Sequence, residues 1–501
     1  MNESNLSVTT SLTFAKRQGP LRPVKINAAL LTGNASSSSE LSVIRDALDI
    51  PALAVLGSKY VANRLIVLGL LSAGTSTFTG IPVNEDIEIA LAGIKGLGAK
   101  FSYEEQGTIL NITGTGGRIN SSASALFLGD NGTFSRLVTP IAALSEKPIV
   151  LDASSQMKRR PMSPLFESLT TLGATIVRAH KSSLPSFPVT LSGPLQNNDL
   201  TLAGSISSQF ISALLLVAPY LNALDKTSAA RKPFTLKLTS PLVSRGYVHL
   251  TRRLMKEFGV IVDHEEHKGL DHFTVKAGQS YLARPYVVEG DVVAASYFWG
   301  LSLIKGESLA ITNYPQDSFM GEAAFTSVLE EMGAKFEKIT DSNLLSSWGS
   351  KQGLRIIPPK SRLRGVTVSM KNMPDVVPTL AVIALSAATP THLTGIGHLR
   401  YKESNRIDDL AVELRKLGAR MDIEADAMTI FPLSEKIRTE NRNRNLIFDT
   451  HHDHRLAMAL SLCALMCKTV TLLSAESVAK SFPTYYKVLQ ELGFTGFTEN
   501  K

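Results

Sequence analysis

The sequence predicts an α/β (α+β) protein of two lobes, each assembled from three units of about 80 residues that combine strands with two helices. Three observations predict it. One short pattern recurs six times: large apolar residues three apart, a glycine, then apolar alternation. It reads "LAGIKGLGAKF" from Leu91, "LTTLGATIV" from Leu169, "LMKEFGVIV" from Leu254, "LEEMGAKFE" from Leu329, "ELRKLGARMDI" from Glu413 and "LQELGFTGF" from Leu489. The glycines that close the six copies, Gly98, Gly173, Gly259, Gly333, Gly418 and Gly493, lie about 74 to 86 residues apart, a period too even for accident. Finally, 501 residues exceed what one core accommodates, so the chain divides.

Each half of the pattern has its own physical reason. Apolar residues three apart share one helix face, and a glycine just past them lets the helix end in the left-handed conformation. The alternation that follows fits a half-buried strand. Between the copies, β-branched runs such as "FTLKLTS", "SLAITNY" and "TVTLLSA" read as further strands, and "IDDLAVELRKL" and "SPLFESLTTL" carry helical periodicity. Three units per lobe leave a cleft between lobes, where small-molecule sites tend to lie. Residues 33–41, "GNASSSSEL", form the one low-complexity stretch, an exposed loop within an N-terminal extension.

Bulk properties narrow the function class. The net charge of +8 favours an anionic partner, yet Lys and Arg are spread along the chain without a long run. Small phosphorylated or carboxylated substrates therefore fit better than nucleic acid. The two cysteines, Cys463 and Cys467, sit in an apolar run and offer neither a disulfide framework nor a zinc site. No stretch reaches the ~18 apolar residues of a membrane span, and the N-terminus lacks a basic start followed by an apolar segment. A cytoplasmic enzyme is the expectation.

Several segments are wrong for a plain core because they combine small residues, hydroxyls and fixed positive charge. "LGSKYVANR" holds Lys59 and Arg64 after a Gly-Ser turn; "LGDNGTFSR" sets Gly132 and Thr133 at a helix start; "GSISSQF" does the same with Ser207, Ser208 and Gln209. Helix-start N–H groups beside hydroxyls suit phosphate oxygens, although capping alone also explains each stretch singly. "MKRRPMSPL" reads as an extended cationic turn with Lys158, Arg159 and Arg160 before Pro161. In "HLRYKESNR", Lys402 and Arg406 lie four apart and share a face if helical, with Glu403 beside them. "THHDHRLAMAL" packs His451, His452, Asp453, His454 and Arg455 before an apolar helix; adjacent histidines diverge, so no metal site is expected. "NMPDVVPTLAVIAL" opens a buried helix with Asp375 in its first turn.

Together these segments resemble one family, the EPSP synthase (3-phosphoshikimate 1-carboxyvinyltransferase) family of enolpyruvyl transferases. The match runs in the family's order through "GSKYVANR", "LGDNGT", "RRPMSPL", "GSISSQF", "LVSRGY", "VEGDVVAASYF", "NMPD", "YKESNR", "HDHRLAMA" and "AKSFPTYY". The resemblance implies a two-lobed inside-out barrel whose lobes each contain three βαβαββ repeats, with the active site in the interlobe cleft. Residues 1–57 and 289–501 would form one lobe and residues 58–288 the other. It implies transfer of the enolpyruvyl group of phosphoenolpyruvate (PEP) to the 5-hydroxyl of shikimate 3-phosphate, by a monomer that needs no cofactor or metal.

Carried over by position, Arg64 would hold the shikimate carboxylate, and Ser207, Ser208, Ser244 and Lys402 its phosphate, with Gln209 and Tyr247 along the ring. Arg406 and Arg455 would grip the PEP carboxylate, and Lys59, Gly132, Arg160 and Lys480 its phosphate. Asp375 would act as base for the hydroxyl, and Glu403 with Lys59 as proton donors and acceptors. Three positions depart from the family: Tyr60 stands where serine is usual and helps bind the shikimate carboxylate, Asp130 replaces an asparagine near the PEP phosphate, and His398 replaces an asparagine near the ring. The ordinary reaction then asks Tyr60 to swing away and Asp130 to be neutralised by Lys59 or Arg160. Two other readings stay open. One is a divergent member of specialised metabolism that uses another acceptor or eliminates phosphate without PEP; the other is a non-catalytic anion-binding protein.

Overall fold

The computed structural model describes residues 9–14, 43–45, 50–104, 109–121, 123–178, 186–221, 232–340 and 352–499; the low-complexity stretch 33–41 lies outside them. The chain divides into two compact units. Unit one takes Met1–Leu56, Glu289–Ser318 and Glu322–Lys501; unit two takes Gly57–Val288 and Phe319–Gly321. Among the described residues each contains three sheets built to one plan.

Unit two shows the plan at its plainest. Strand Ala125–Phe127, helix Gly132–Ala142, strand Ile149–Asp152 and helix Ser163–Thr171 lead into strands Thr175–Arg178 and Val189–Ser192, a β-α-β-α-β-β order. The first two strands pair in parallel, the last strand lies antiparallel to the second, and the strand after the second helix takes the edge. Asp199–Ala203, Phe234–Ser240, Leu270–Val275 and Val262–His267 repeat that sheet. So do Thr367–Ser369, Thr391–Thr394, Ala427–Ile430 and Met421–Ile423 in unit one.

The remaining copies are completed by strands distant in sequence. Pro285–Val287 pairs in parallel with Thr75–Thr79, beside Ile109–Thr113 and Lys100–Glu104, and closes the third sheet of unit two. In unit one Pro51–Leu53 pairs in parallel with Leu309–Ile311 after the chain returns from unit two. Thr9–Phe14 inserts between Thr469–Leu473 and Phe494–Glu499, which gives part of the N-terminal extension a place in a sheet.

The six glycines of the sequence repeat all end the second helix of their copy, with φ between +80° and +112°. Only a residue without Cβ occupies that region at little cost, and each glycine opens directly onto the edge strand. The two helices of a copy differ in burial. First helices, such as Lys59–Leu71, Gly132–Ala142, Val377–Ala384 and His454–Ser461, are buried along their whole length. Second helices, such as Arg245–Glu257 and Arg406–Arg415, bury one stripe and expose the other. Each unit is thus a bundle of inner helices wrapped by sheets, an inside-out barrel. Among the described residues no helix is long and apolar enough to cross a membrane.

Candidate active site

A helix buried on all sides leaves its polar residues needing partners inside the protein. On Lys59–Leu71 those residues are Lys59, Asn63 and Arg64. Lys59 Nζ lies 3.1 Å from Asp86 Oδ2, on the first turn of helix Glu85–Gly96. Asn63 donates to the Lys59 carbonyl at 2.8 Å and accepts from Asn131 Nδ2 at 2.9 Å. Arg64 donates from Nε to Thr251 Oγ1 at 2.7 Å, and from its two terminal nitrogens to the carbonyls of Tyr60 and Tyr247 at 2.9 and 3.2 Å. Burial pushes its pKa down to about 10. Tyr60 is buried, its ring 4.9 Å from that of Tyr247 and tilted 53°.

Asn131 caps the next inner helix by accepting from the N–H of Phe134 at 2.9 Å. Gly132 then begins that helix under two guanidinium groups. A Cβ there would fall 2.3 Å from Arg160 Nη1 and 2.8 Å from Arg136 Nη1, so glycine is what lets both arginines approach the helix start. Arg136, one turn on, donates to the Gly132 carbonyl at 2.9 Å. Two buried cations against a helix N-terminus make a strong attractor for an oxyanion.

Arg160 arrives differently from the expectation of an extended cationic turn. Ser154 caps a short helix, Ser155–Lys158, by accepting from the N–H of Met157 at 3.1 Å, and the bend continues until the Arg160 N–H reaches the Met157 carbonyl at 3.0 Å. The cap outweighs the extended bias that Pro161 imposes on its predecessor, and the three cations diverge. Lys158 reaches Asp152 at the surface, at 2.8 Å, while Arg160 turns inward. The Ser154 hydroxyl also donates to Asp130, so this departure braces the turn that delivers Arg160.

The hydroxyl set sits on neighbouring helix starts. Ser207 caps helix Ser208–Val217, Ser208 is its buried first residue, and Gln209 Nε2 donates to Thr133 Oγ1 at 3.4 Å. Ser244 precedes helix Arg245–Glu257 in the left-handed region, φ +50°, and its side chain makes no capping bond. A non-glycine residue held there costs on the order of 1 kcal/mol, a strain that this bend retains.

Unit one gathers acids as well as bases. Arg406 opens helix Arg406–Arg415, an unfavourable end for a cation, and three carboxylates offset this. Nε meets Asp453 Oδ2 at 2.7 Å, Nη1 meets Asp375 Oδ1 at 2.9 Å, and Nη2 meets Glu403 Oε2 at 2.7 Å. Burial works to lower the Arg406 pKa, but the charges of Asp453, Glu403 and Asp375 outweigh it and hold the group well above its ordinary value. Arg455 Nη2 lies 3.5 Å from the other Asp375 oxygen, and its Nη1 donates to the Tyr297 hydroxyl at 3.2 Å. Burial pushes that phenol up to about 12 against the pull of Arg455. Lys480 Nζ stands 3.5 Å from Glu403 Oε1.

The expectation that Lys402 and Arg406 share a helical face is corrected. Gly397–Tyr401 is a separate 3-10 turn ended by Lys402, whose backbone is extended, and the next helix begins only at Arg406 because Asn405 caps it. Glu403 still reaches Arg406, from the loop. His398 lies in that 3-10 turn; burial, then the charge of Lys402, pushes its pKa down to about 4.

Two bends in left-handed backbone set the remaining residues. His451 and His452, at φ +52° and +54°, turn the chain out of strand Asn445–Asp449 so that Asp453 caps the inner helix and accepts from the Arg455 N–H at 2.8 Å. Ser474, at φ +54°, begins the turn that ends in Lys480, and Thr450 donates to its carbonyl at 3.0 Å. One hydrogen bond thus ties the bend that presents Arg455 to the bend that presents Lys480.

Within unit two the structure joins Lys59, Gly132 and Arg160 through Asp86, Asn131 and Arg136, and joins Tyr60 to Arg64 and Tyr247. Within unit one it joins Asp375, Glu403, Arg406, Arg455 and Lys480. Sequence reasoning missed Asp86, Arg136, Ser154 and Thr251, and placed Asp453 only in a histidine-rich run. Arg136 had a readable signal, four residues after Gly132 on one helix.

The model of the EPSP synthase (3-phosphoshikimate 1-carboxyvinyltransferase) family matches residues 51–489. The chain belongs to this family. Among its relatives, the 3-phosphoshikimate 1-carboxyvinyltransferase of Methanosphaerula palustris is 36% identical over 435 residues, 86% of this chain and 94% of the relative. The enzyme of that name from Shewanella woodyi is 34% identical over 434 residues, with the same coverage. The EPSP synthase structure from Acinetobacter baumannii matches with a TM-score of 0.72 at 22% identity, over 99% of this chain and all of that one. The enolpyruvyl transferase NikO from Streptomyces tendae gives 0.70 at 14% identity, over 99% and 100%. At such identities these structures speak for the shared enolpyruvyl transferase fold.

Proposed function

We propose that this chain transfers the enolpyruvyl group of PEP to the 5-hydroxyl of shikimate 3-phosphate, releasing phosphate. The observation that carries the reading is the pair of guanidinium groups on Asp375, with Arg406 on one oxygen at 2.9 Å and Arg455 on the other at 3.5 Å. Two arginines already disposed about a planar carboxylate are what the carboxylate of PEP requires. The residue carry-over and the curated relatives' names support the same chemistry.

In this reading the hydroxyl oxygen bonds to C2 of PEP while a proton is added to its methylene carbon, giving a tetrahedral intermediate. Loss of a proton from that carbon and cleavage of the C2–O bond to phosphate then complete the transfer. Asp375 orients and deprotonates the hydroxyl. Glu403, held between Arg406 and Lys480, and Lys59, held by Asp86, carry the proton to and from carbon. Arg160, Gly132 and Lys480 receive the PEP phosphate; Ser207, Ser208, Ser244 and Lys402 receive the 3-phosphate. The reaction takes place in a cytoplasmic monomer that needs no cofactor.

The test is phosphate release from shikimate 3-phosphate with and without PEP. Release only with PEP supports transfer. Release without PEP supports elimination, and none under either condition leaves another acceptor or a binding role.

A further inference from the structure

Each copy of the repeat buries the residue that stands five places before its closing glycine. In five copies that residue is small or apolar: Gly93, Ser168, Leu254, Val328 and Val488. On helix Arg406–Arg415 it is Glu413, whose side chain is only 2% exposed. A carboxylate set where its counterparts pack a core needs partners that a core does not supply. They come from the bend that follows strand Asn445–Asp449. Glu413 Oε2 accepts from the Asp449 N–H at 2.8 Å, and Oε1 lies 3.5 Å from His451 Nε2.

Glu413 belongs to a polar stripe. Arg406, Asp409, Glu413 and Lys416 have the spacing of one helix face, and their partners run the opposite way along the chain. Arg406 meets Asp453 at 2.7 Å, Asp409 faces His451 at 3.9 Å, Glu413 takes Asp449, and Lys416 donates to the Ile447 carbonyl at 3.1 Å and to Glu413 at 2.6 Å. The helix therefore splints the bend at two places, Glu413 and Arg406, two turns or about 10 Å apart. Between those places lie His451 and His452 at φ +52° and +54°, a backbone conformation that persists in non-glycine residues only when the surroundings hold it.

We propose that Glu413 is a positioning residue for PEP: from the helix that Arg406 opens, it holds the bend that delivers Asp453 and Arg455, and so sets the spacing of the two guanidinium groups. Its hydrogen bond to the Asp449 N–H is the operative contact. Without it Arg406 still holds Asp453, but the left-handed bend is free to relax, and Arg455, two residues past Asp453, shifts against Arg406 and Asp375. A shift on the order of 1 Å is enough to spoil a two-point grip on a carboxylate. The inference deepens the transferase reading and rests on its assignment of this arginine pair to PEP.

The experiment measures kcat and both KM values for three variants. Glu413→Ala should raise KM for PEP about tenfold, with KM for shikimate 3-phosphate moving less than about twofold and kcat less than about threefold. Glu413→Gln, which keeps an acceptor for the Asp449 N–H, should bring KM for PEP back to within about threefold of wild type. Asn441→Ala is the structural control: Asn441 is buried and donates to the Leu417 carbonyl at 2.9 Å, just past the same helix and outside the bend. It should lower the melting temperature yet leave KM for PEP within about twofold. Should Glu413→Ala not fold, Glu413→Asp, whose carboxylate ends one carbon short of the bend, takes its place with the same expectation. An unchanged KM for PEP in the folded Ala or Asp variant overturns the inference, as does a matched rise in both KM values. So does a Gln variant no better than Ala, or an Asn441→Ala protein with the same rise. Calorimetric Kd values for PEP in the presence of shikimate 3-phosphate separate the inference from the reaction itself. Phosphate release with unchanged PEP affinity in Glu413→Ala sinks only the inference. PEP binding that Glu413→Ala weakens about tenfold, without phosphate release, supports the inference and sinks only the transferase reading.

Discussion

Two arginines, one in each unit, are buried almost completely by opposite means. Arg406 in unit one is surrounded by three carboxylates, and their charge holds its pKa well above the ordinary value against burial. Arg64 in unit two is held by two carbonyls and a threonine hydroxyl, and burial prevails, pushing it down to about 10. Similar repeats therefore bury cations either by neutralisation or by dipoles alone. The first arrangement fixes geometry tightly and leaves little net field. The second leaves positive charge in place.

The sharpest way to break the comparison is to remove each arginine. Arg406→Met leaves three buried acids without their shared partner and should cost about 3–5 kcal/mol of stability along with all transferase activity. Arg64→Met leaves only carbonyls and a hydroxyl unsatisfied, and should cost about 1–3 kcal/mol. Chemical denaturation of both variants checks this; equal losses would mean that the carboxylates do not dominate unit one.

Gly132→Ala probes how far the unit-two cations depend on close approach. The new Cβ displaces the ends of two arginine side chains and no backbone, so the fold should lose no more than about 1 kcal/mol. In the proposed reading Arg160 receives the PEP phosphate, so KM for PEP should rise about tenfold while KM for shikimate 3-phosphate moves less than about twofold. Steady-state kinetics with each substrate varied reads both, and a matched rise in the two KM values would separate Arg160 from the phosphate.

His398 tests whether unit one also disfavours adding positive charge. Its folded pKa is about 4, below the unfolded value near 6.5, so between these values the unfolded chain holds a proton that the folded chain does not. The contribution is present above about pH 6.5 and is lost as pH falls through 4. His398→Asn removes this dependence, so wild type should lose more stability than the variant between pH 7 and pH 4. Parallel thermal melts across that range would refute a depressed pKa.

The fold was legible because its repeat is written locally. A glycine at positive φ between an apolar helix face and a strand leaves a signature that needs no tertiary knowledge, and all six copies used it. The cations of the site were legible as motifs, but what holds them was not. Asp86 and Thr251 lie 27 and 187 residues from the side chains they grip, beyond any local pattern. The extended reading of Lys158–Arg160 and the shared helical face of Lys402 and Arg406 both failed for one reason. A capping residue, Ser154 or Asn405, set the helix boundary more firmly than charge spacing or a following proline.

Asp130 offers the smallest and most selective probe. In unit one, acids neutralise the arginines they touch; Asp130 instead accepts from Ser154, which caps the turn leading to Arg160. Asparagine keeps an acceptor oxygen for that hydroxyl, so Asp130→Asn should change stability by less than about 0.5 kcal/mol. It also removes a negative charge beside the proposed phosphate subsite. At a half-exposed position that charge is worth on the order of 1 kcal/mol or less, so KM for PEP should fall about two- to fivefold. Screening weakens the effect, so the gain should shrink between 0.01 and 0.15 M salt as the Debye length falls from about 30 to 8 Å. A rise in KM with unchanged stability would give the opposite answer: the carboxylate would be worth more as a brace for Arg160 than it costs as an anion, and unit two, like unit one, would depend on an acid to hold its arginine.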